Sequence, residues 1–387
     1  MSVALLQKKS VFGAMMMVTS CCIGAGMIGL PVVSASAGFI PSFFAICLAY
    51  AFSTGTGLLL LEATLWFDRQ VNLMTIAQFA FGKIGKILVA ALFLFLFYGI
   101  FVSYLDGGSR VFSSFLSIPR EIGIFISILF VSAVLYAGIY RLDQLNRLLM
   151  LGLIITYSLI VGMGSSYVEL NNLTHSNWKA SIATLPILFI SFGYQNLVPS
   201  LAHYLQKNAK SIRLAIVLGN FIPTVIYIVW NYIILGMIND PSQLSSESAI
   251  VTDILQKTSF SSTVLPLINA FCFFALFTSF ITVAFSFLDF LKDGFSKEPN
   301  HFFLQSLVLL PPLFISFAFP NLFLKALSFA GGYIDMLLFG IFPVCMVWIG
   351  RYKKKINSSY QVFGGKSLLV LMFFLSITFM CLKFFRG

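Results

Sequence analysis

Ile23-Gly24-Ala25-Gly26-Met27-Ile28-Gly29-Leu30-Pro31 puts three glycines and a proline in the middle of an apolar run that extends from Val11 to Ala35. Both residue types weaken a helix, glycine through its backbone freedom and proline through its missing donor. A second run, Ala180 to Leu205, is interrupted in the same way by Ser191-Phe192-Gly193-Tyr194-Gln195-Asn196, with Pro199 one turn later. In hydrocarbon, unpaired backbone groups are so costly that a non-helical stretch survives only where it lines a cavity or is buried in protein. The two interruptions therefore matter only if the runs that hold them cross a membrane.

Composition places them there. The chain of 387 residues is 59% hydrophobic and 10% charged, with a mean hydropathy of +0.96, values that exclude a water-soluble fold. A hydrocarbon core about 30 Å thick needs about 20 apolar residues in a helix. Eleven runs fit: Val11 to Ala35, Ser42 to Phe67, Ile84 to Leu105, Ile122 to Ile139, Leu148 to Gly164, Ala180 to Leu205, Leu214 to Met237, Val264 to Leu288, Phe302 to Phe319, Ser328 to Gly350 and Leu368 to Leu382. They are continuous rather than alternating, which predicts an all-α integral membrane protein and not a β-barrel.

The net charge of +11 comes from residues spread over short loops, with no Lys/Arg face interleaved with aromatics, so no nucleic-acid partner is expected. With Lys8 and Lys9 on the cytoplasmic side, 17 of the 24 Lys and Arg fall inside and 7 outside, which predicts a cytoplasmic amino terminus and an external carboxyl terminus. The first run is longer than a signal-peptide core and reads as an uncleaved helix. All six cysteines sit within spans without metal-ligand spacing, and no metal or other cofactor is expected. The longest hydrophilic segment, Asn239 to Thr263, reads equally as a short external helix or a solvated loop.

The interrupted first and sixth spans each begin a set of five. Five is odd, so the sets would lie in opposite senses, a five-plus-five inverted repeat (1–164 and 165–350) followed by a basic loop and an extra helix (351–387). Broken helices at matching positions of inverted halves are the sequence mark of a secondary transporter's midplane site.

At these residues the chain resembles the bacterial aromatic amino acid permeases, the tyrosine-specific and tryptophan-specific transport proteins of the hydroxy and aromatic amino acid permease family. The resemblance covers nearly the whole chain. It rests on Ile23-Gly24-Ala25-Gly26-Met27 with Pro31, Leu59-Leu60-Leu61-Glu62, Ser191-Phe192-Gly193-Tyr194 with Val198-Pro199-Ser200, Thr278-Ser279-Phe280 leading to Asp289, and Leu310-Pro311-Pro312 with Pro320. It implies a LeuT-type fold, an aromatic amino acid as substrate, the bacterial inner membrane as location and coupling to protons.

A zwitterion entering such a site must exchange its hydration for fixed partners. Free amides at the second halves of the broken helices, near Met27 and Asn196, are expected to hold its carboxylate, and carbonyls of Cys22 to Gly24 and Ser191 to Gly193 its ammonium. Gly24, Ala25, Gly26, Met27, Phe192, Gly193, Tyr194, Gln195 and Asn196 are accordingly the substrate candidates, with Gly24 and Gly26 keeping side chains off the ligand. Tyr98 and Tyr104 on the third span complete the expected aromatic wall, and Gln195 or Asn196 would meet a phenol or indole donor.

For the coupling ion the candidates are Glu62 and Asp289, both near cytoplasmic helix ends where a Lys or Arg partner is an equal reading, and the hydroxyl pair Thr278 and Ser279, which resembles half of a sodium site. Asp335 lies deeper, with no motif to explain it. Sodium stays open beside the proton. An intramembrane enzyme would need convergent catalytic groups at depth, whereas His175, His203 and His301 fall in loops or at span ends. Tyrosine or tryptophan preference and oligomeric state are not legible.

Overall fold

The computed structural model describes residues 10–137, 139–238, 261–294, 300–356, 358 and 360–384. Lys8, Lys9 and most of the external hydrophilic segment, with Asp240, Glu247 and Asp253, lie outside the described residues. In chain order the helices are α1 (Val11–Cys22), α2 (Ala25–Ala35), α3 (Phe39–Thr64), α4 (Leu73–Leu116), α5 (Arg120–Ala137), α6 (Ile139–Gly164), α7 (Leu185–Ser191), α8 (Val198–Tyr204), α9 (Ala209–Gly236), α10 (Ser261–Gly294), α11 (His301–Ala318), α12 (Phe323–Lys353) and α13 (Gly365–Phe384). No strand occurs among the described residues.

Nine of the described helices or helix runs are long and apolar enough to cross a membrane, and α1 with α2, bent by 53° at their junction, makes up to ten. Eleven were expected. The difference is Phe302–Ala318 in α11, which is apolar but shorter. At 1.5 Å per residue it reaches about 26 Å, less than a hydrocarbon core of about 30 Å.

Two boundaries moved for a physical reason. The third run was expected to end at Leu105, before Asp106, yet α4 continues to Leu116. Asp106 is fully buried and neutralised: Arg120 donates to its Oδ1 from Nε (3.1 Å) and Nη2 (2.9 Å), and the Phe323 amide donates to Oδ2 (3.1 Å). A charge ends an apolar run but not a helix when its partner lies alongside. At its other end α4 bends at Gly82, whose φ of 73° is open to glycine, so the turns from Leu73 to Phe81 take a different direction from the membrane-crossing part.

α1 packs along α9, α3 along α9 and against α7 and α8, α6 along α10, and α4 against α5, α11 and α12. Trp230, Tyr227, Phe271, Phe280 and Phe287 are buried at the centre, while Phe12, Ile84, Ile87, Phe95, Leu129 and Phe374 face outward, the apolar surface a bilayer solvates. Several buried polar side chains tie helices together: Thr19 Oγ1 donates to Gly219 O (2.8 Å), Asn220 Nδ2 to Thr54 Oγ1 (2.9 Å) and Asn231 Nδ2 to Ser34 Oγ (3.0 Å). Each satisfied pair removes a desolvation cost of about 1 to 3 kcal/mol that an orphaned group would carry.

Candidate functional site

α1 stops at Cys22 because Ile23 and Gly24 take extended backbone angles; α2 starts at Ala25 with no side-chain cap at Gly24. The other interrupted run leaves α-helix at Phe192–Tyr194, turns tightly through Gln195–Leu197 and resumes as α8. The breaks face each other. A Cβ on Gly26 would collide with Ser191 Oγ and stand 2.9 Å from Ser191 Cβ, and one on Gly24 would collide with Ser279 Oγ. Gly24 and Gly26 were expected to keep side chains off a ligand, and the structure adds a packing reason: they let α7 and α10 approach the break.

Around the breaks lies a cavity of about 350 Å³, within the usual range for small-molecule sites of about 300 to 1,000 Å³. Gly24, Ala25, Gly26, Gly193 and Asn196 line it, joined by Tyr104, Thr278 and Ser279. Its aromatic wall is Phe93, Phe97, Tyr104 and Phe339. From the breaks it runs along α1, past Ser20 and Cys21, toward Asn146 at the start of α6, Ser200 on α8 and Ser286 near the end of α10. On the α2 side it is closed, with Met27, Ile28, Tyr227 and Trp230 fully buried and Trp230 Nε1 donating to Met27 O (2.9 Å).

Several candidates stand elsewhere. Met27, Phe192, Tyr194 and Gln195 are buried behind the wall and not in it. Tyr194 Oη donates to Ser53 O (3.0 Å), and Gln195 Nε2 donates to Ser53 Oγ (3.1 Å) and Thr56 Oγ1 (3.2 Å), so these polar groups lock the break to α3. Phe192 stacks edgewise on Tyr227, while its carbonyl accepts from Ser53 Oγ (2.8 Å). Tyr98 points to α11, donating to Leu307 O (2.9 Å). Of the two amides considered for a substrate donor, Asn196 borders the cavity and Gln195 does not.

The carbonyls are also partly engaged. Cys22 O accepts from Tyr227 Oη and Gly24 O from the Met27 amide. Among the ion candidates, Glu62 is fully buried and held by Arg351 through Nε–Oε1 (2.6 Å) and Nη2–Oε2 (2.5 Å), with the Val362 amide at 2.8 Å, so its charge is spent on structure. Asp289 is exposed outside the cavity and pairs with Lys292 at 3.6 Å. Thr278 Oγ1 bonds its own helix at Phe274 O (2.8 Å) and Ala275 O (3.2 Å). Asp335 lines the cavity, although no motif pointed to it.

Of the aromatic wall only Tyr104 was expected from the sequence, yet the α4 part of it carries a signal. Phe93, Phe97, Ile100 and Tyr104 recur at helical spacing on one face of α4, and Tyr98 falls on another face.

The family model of the tryptophan/tyrosine permeases matches residues 7–383. The chain belongs to the tryptophan/tyrosine permease family. The permease is 27% identical to "Tyrosine-specific transport system 1" of Haemophilus influenzae over 96% of both chains. It is 28% identical to "Low affinity tryptophan permease" of Escherichia coli over 96% of its own length and 94% of the relative's. It is also 28% identical to "Glutamine transporter 2" of Aliivibrio fischeri, over 93% and 95%. These relatives are named as transport proteins and permeases rather than enzymes, and the permease spans nearly their whole length.

Proposed function

We propose that this permease imports an aromatic amino acid, tyrosine or tryptophan, across the bacterial inner membrane by proton-driven symport, with eleven spans in a LeuT-type five-plus-five arrangement. The observation that carries the reading is the cavity at two facing helix breaks, lined by backbone on one side and by Phe93, Phe97, Tyr104 and Phe339 on the other. The uncapped start of α2 offers the amides of Ala25 and Gly26 to a carboxylate. Carbonyls of Ile23, Ser191 and Gly193, which border the same space, receive the ammonium. The aromatic ring lies against the α4 stripe, and Asn196 meets its polar edge.

Helix packing supports the inverted repeat. If each crossing n of the first five corresponds to crossing n + 5, then α1 on α9 corresponds to α7 and α8 on α3, α6 on α10 to α12 on α4, and α4 on α5 to α10 on α11; all of these pairs are in contact. With the amino terminus cytoplasmic, the cavity opens inward and the carboxyl terminus is periplasmic.

A second reading has one observation in its favour. The relative named as a glutamine transporter, as similar in sequence as the tryptophan permease, makes another neutral amino acid a competitor. Counterflow in proteoliposomes decides between them: labelled tyrosine should exchange with unlabelled tyrosine or tryptophan and not with glutamine or leucine. Counterflow of labelled glutamine against unlabelled glutamine, with none of labelled tyrosine or tryptophan, would replace the aromatic reading.

A further inference from the structure

Among the described residues that line the cavity, Asp335 is the single Asp, Glu, Lys, Arg or His. It is 2% exposed, and its Oδ1 has no hydrogen-bond partner. That oxygen borders the break between α7 and α8: a Cβ built on Gly193 would stand 3.3 Å from it. The backbone around Asp335 is wound more widely than an α-helix, with i→i+5 hydrogen bonding over Ala330–Ile341, a departure that gathers at functional sites.

A carboxylate so enclosed is an uncompensated charge, and the site admits it only beside a cation or with a proton attached. The donor set around it selects between these. A metal cation requires several oxygens in a cage, whereas one unpartnered oxygen is enough for a proton. The Thr278 hydroxyl donates to its own helix, and the Phe192, Cys22 and Gly24 carbonyls each accept a bond, from Ser53, Tyr227 and the Met27 amide. Oxygens of these kinds have two lone pairs, so the proton is preferred because one unpartnered oxygen suffices for it, and sodium is an outcome of the test.

Among the described residues the neighbouring elements offer no counter-charge at the cavity. On α3, Glu62 is matched by Arg351 of α12, and on α4, Asp106 by Arg120. α7 has no ionisable side chain. Lys83 and Lys86 on α4, Lys325 on α12 and Lys366 on α13 lie outside the cavity, as do Tyr50, Tyr98, Tyr333, Cys47, Cys345 and Cys381; the titratable groups that share it with Asp335 are Cys21, Cys22 and Tyr104.

We propose that the Asp335 carboxyl carries the proton that crosses with the substrate. Oδ1 takes a proton from external water when the site faces outward, travels neutral through the closed state, and returns the proton to cytoplasmic water through the α1-side passage. The ion is taken up and released unchanged, so no other reactant enters. This inference rests on the proton-driven reading above and assigns its carrier.

Three proteins in liposomes test it. Wild-type protein should accumulate labelled substrate under an inward proton gradient. Asp335→Asn, which keeps size and loses the ionisable group, should exchange labelled for unlabelled substrate while losing gradient-driven accumulation. Asp335→Glu should keep accumulation with a displaced pH profile.

Accumulation by Asp335→Asn equal to wild type overturns the assignment and leaves proton coupling standing. Failure of wild type to respond to protons, with a response to sodium, overturns the coupling reading itself. Loss of exchange as well as accumulation in Asp335→Asn, in protein that elutes as a single species, overturns the carrier role in favour of a contact to the substrate ammonium. Should the asparagine variant not fold, Asp335→Glu decides: exchange without accumulation in that protein overturns the proposal.

Discussion

Gly26 has no room for a methyl group because Ser191 stands against it across the break. Gly26→Ala should therefore abolish uptake while the protein still inserts, and adding Ser191→Gly should restore part of the transport by removing the opposing Oγ and Cβ. Uptake by the double variant no better than by the single one would mean that the glycine serves something other than close approach. Asn196 and Gln195 are adjacent in sequence yet do different work, since only Asn196 reaches the cavity. Asn196→Ala is expected to change the ranking of tyrosine against phenylalanine in competition assays, and Gln195→Ala to lower uptake of both alike. From sequence both amides have the same standing because their difference is a rotation within one short turn, Gln195–Leu197, too brief for any periodicity to be read.

At the scale of elements, the break between α7 and α8 is fastened to α3 by one residue used three ways: Ser53 Oγ donates to Phe192 O, accepts from Gln195 Nε2, and Ser53 O accepts from Tyr194 Oη. Ser53→Ala deletes the hydroxyl and with it one of two hydrogen bonds to the Phe192 carbonyl, which keeps the Tyr194 amide, and one of two from Gln195 Nε2, which keeps Thr56 Oγ1, at about 0.5 to 1.5 kcal/mol for each bond lost. The expected outcome is a lower melting temperature in detergent and a uniform loss of transport with substrate ranking unchanged; an altered ranking would place Ser53 in contact with substrate. The breaks themselves were legible, since glycine and proline inside an apolar run announce them. Their fastening was not, because Ser53 lies 142 residues from Gln195 and a serine in a helix carries no address. The same distance hid which residue pairs with Glu62: a Lys or Arg partner was an equal reading beside ion coupling, but Arg351 is 289 residues away.

For the whole molecule, α1 and α6 begin, and α3, α8 and α10 end, on one face, and the cavity opens toward it. Buried ion pairs clamp both faces: Glu62 with Arg351 joins α3 to α12 on this one, and Asp106 with Arg120 joins α4 to α5 on the other. Removing Arg351 leaves the buried Glu62 carboxylate without its cation, at about 3 to 5 kcal/mol, whereas Asp106 without Arg120 keeps Arg110 at 3.5 Å. Cys21 reports on the opening directly, because it is exposed and lines the passage on α1. A variant that retains Cys21 as its sole cysteine should react with a membrane-impermeant maleimide applied to inside-out vesicles and not to right-side-out cells. Saturating substrate should slow the reaction by occupying the cavity above it. Labelling from the external side alone would reverse the assigned orientation, and labelling indifferent to substrate would separate this passage from the transport route, because a ligand held at the breaks must restrict access to a thiol one residue before the end of α1.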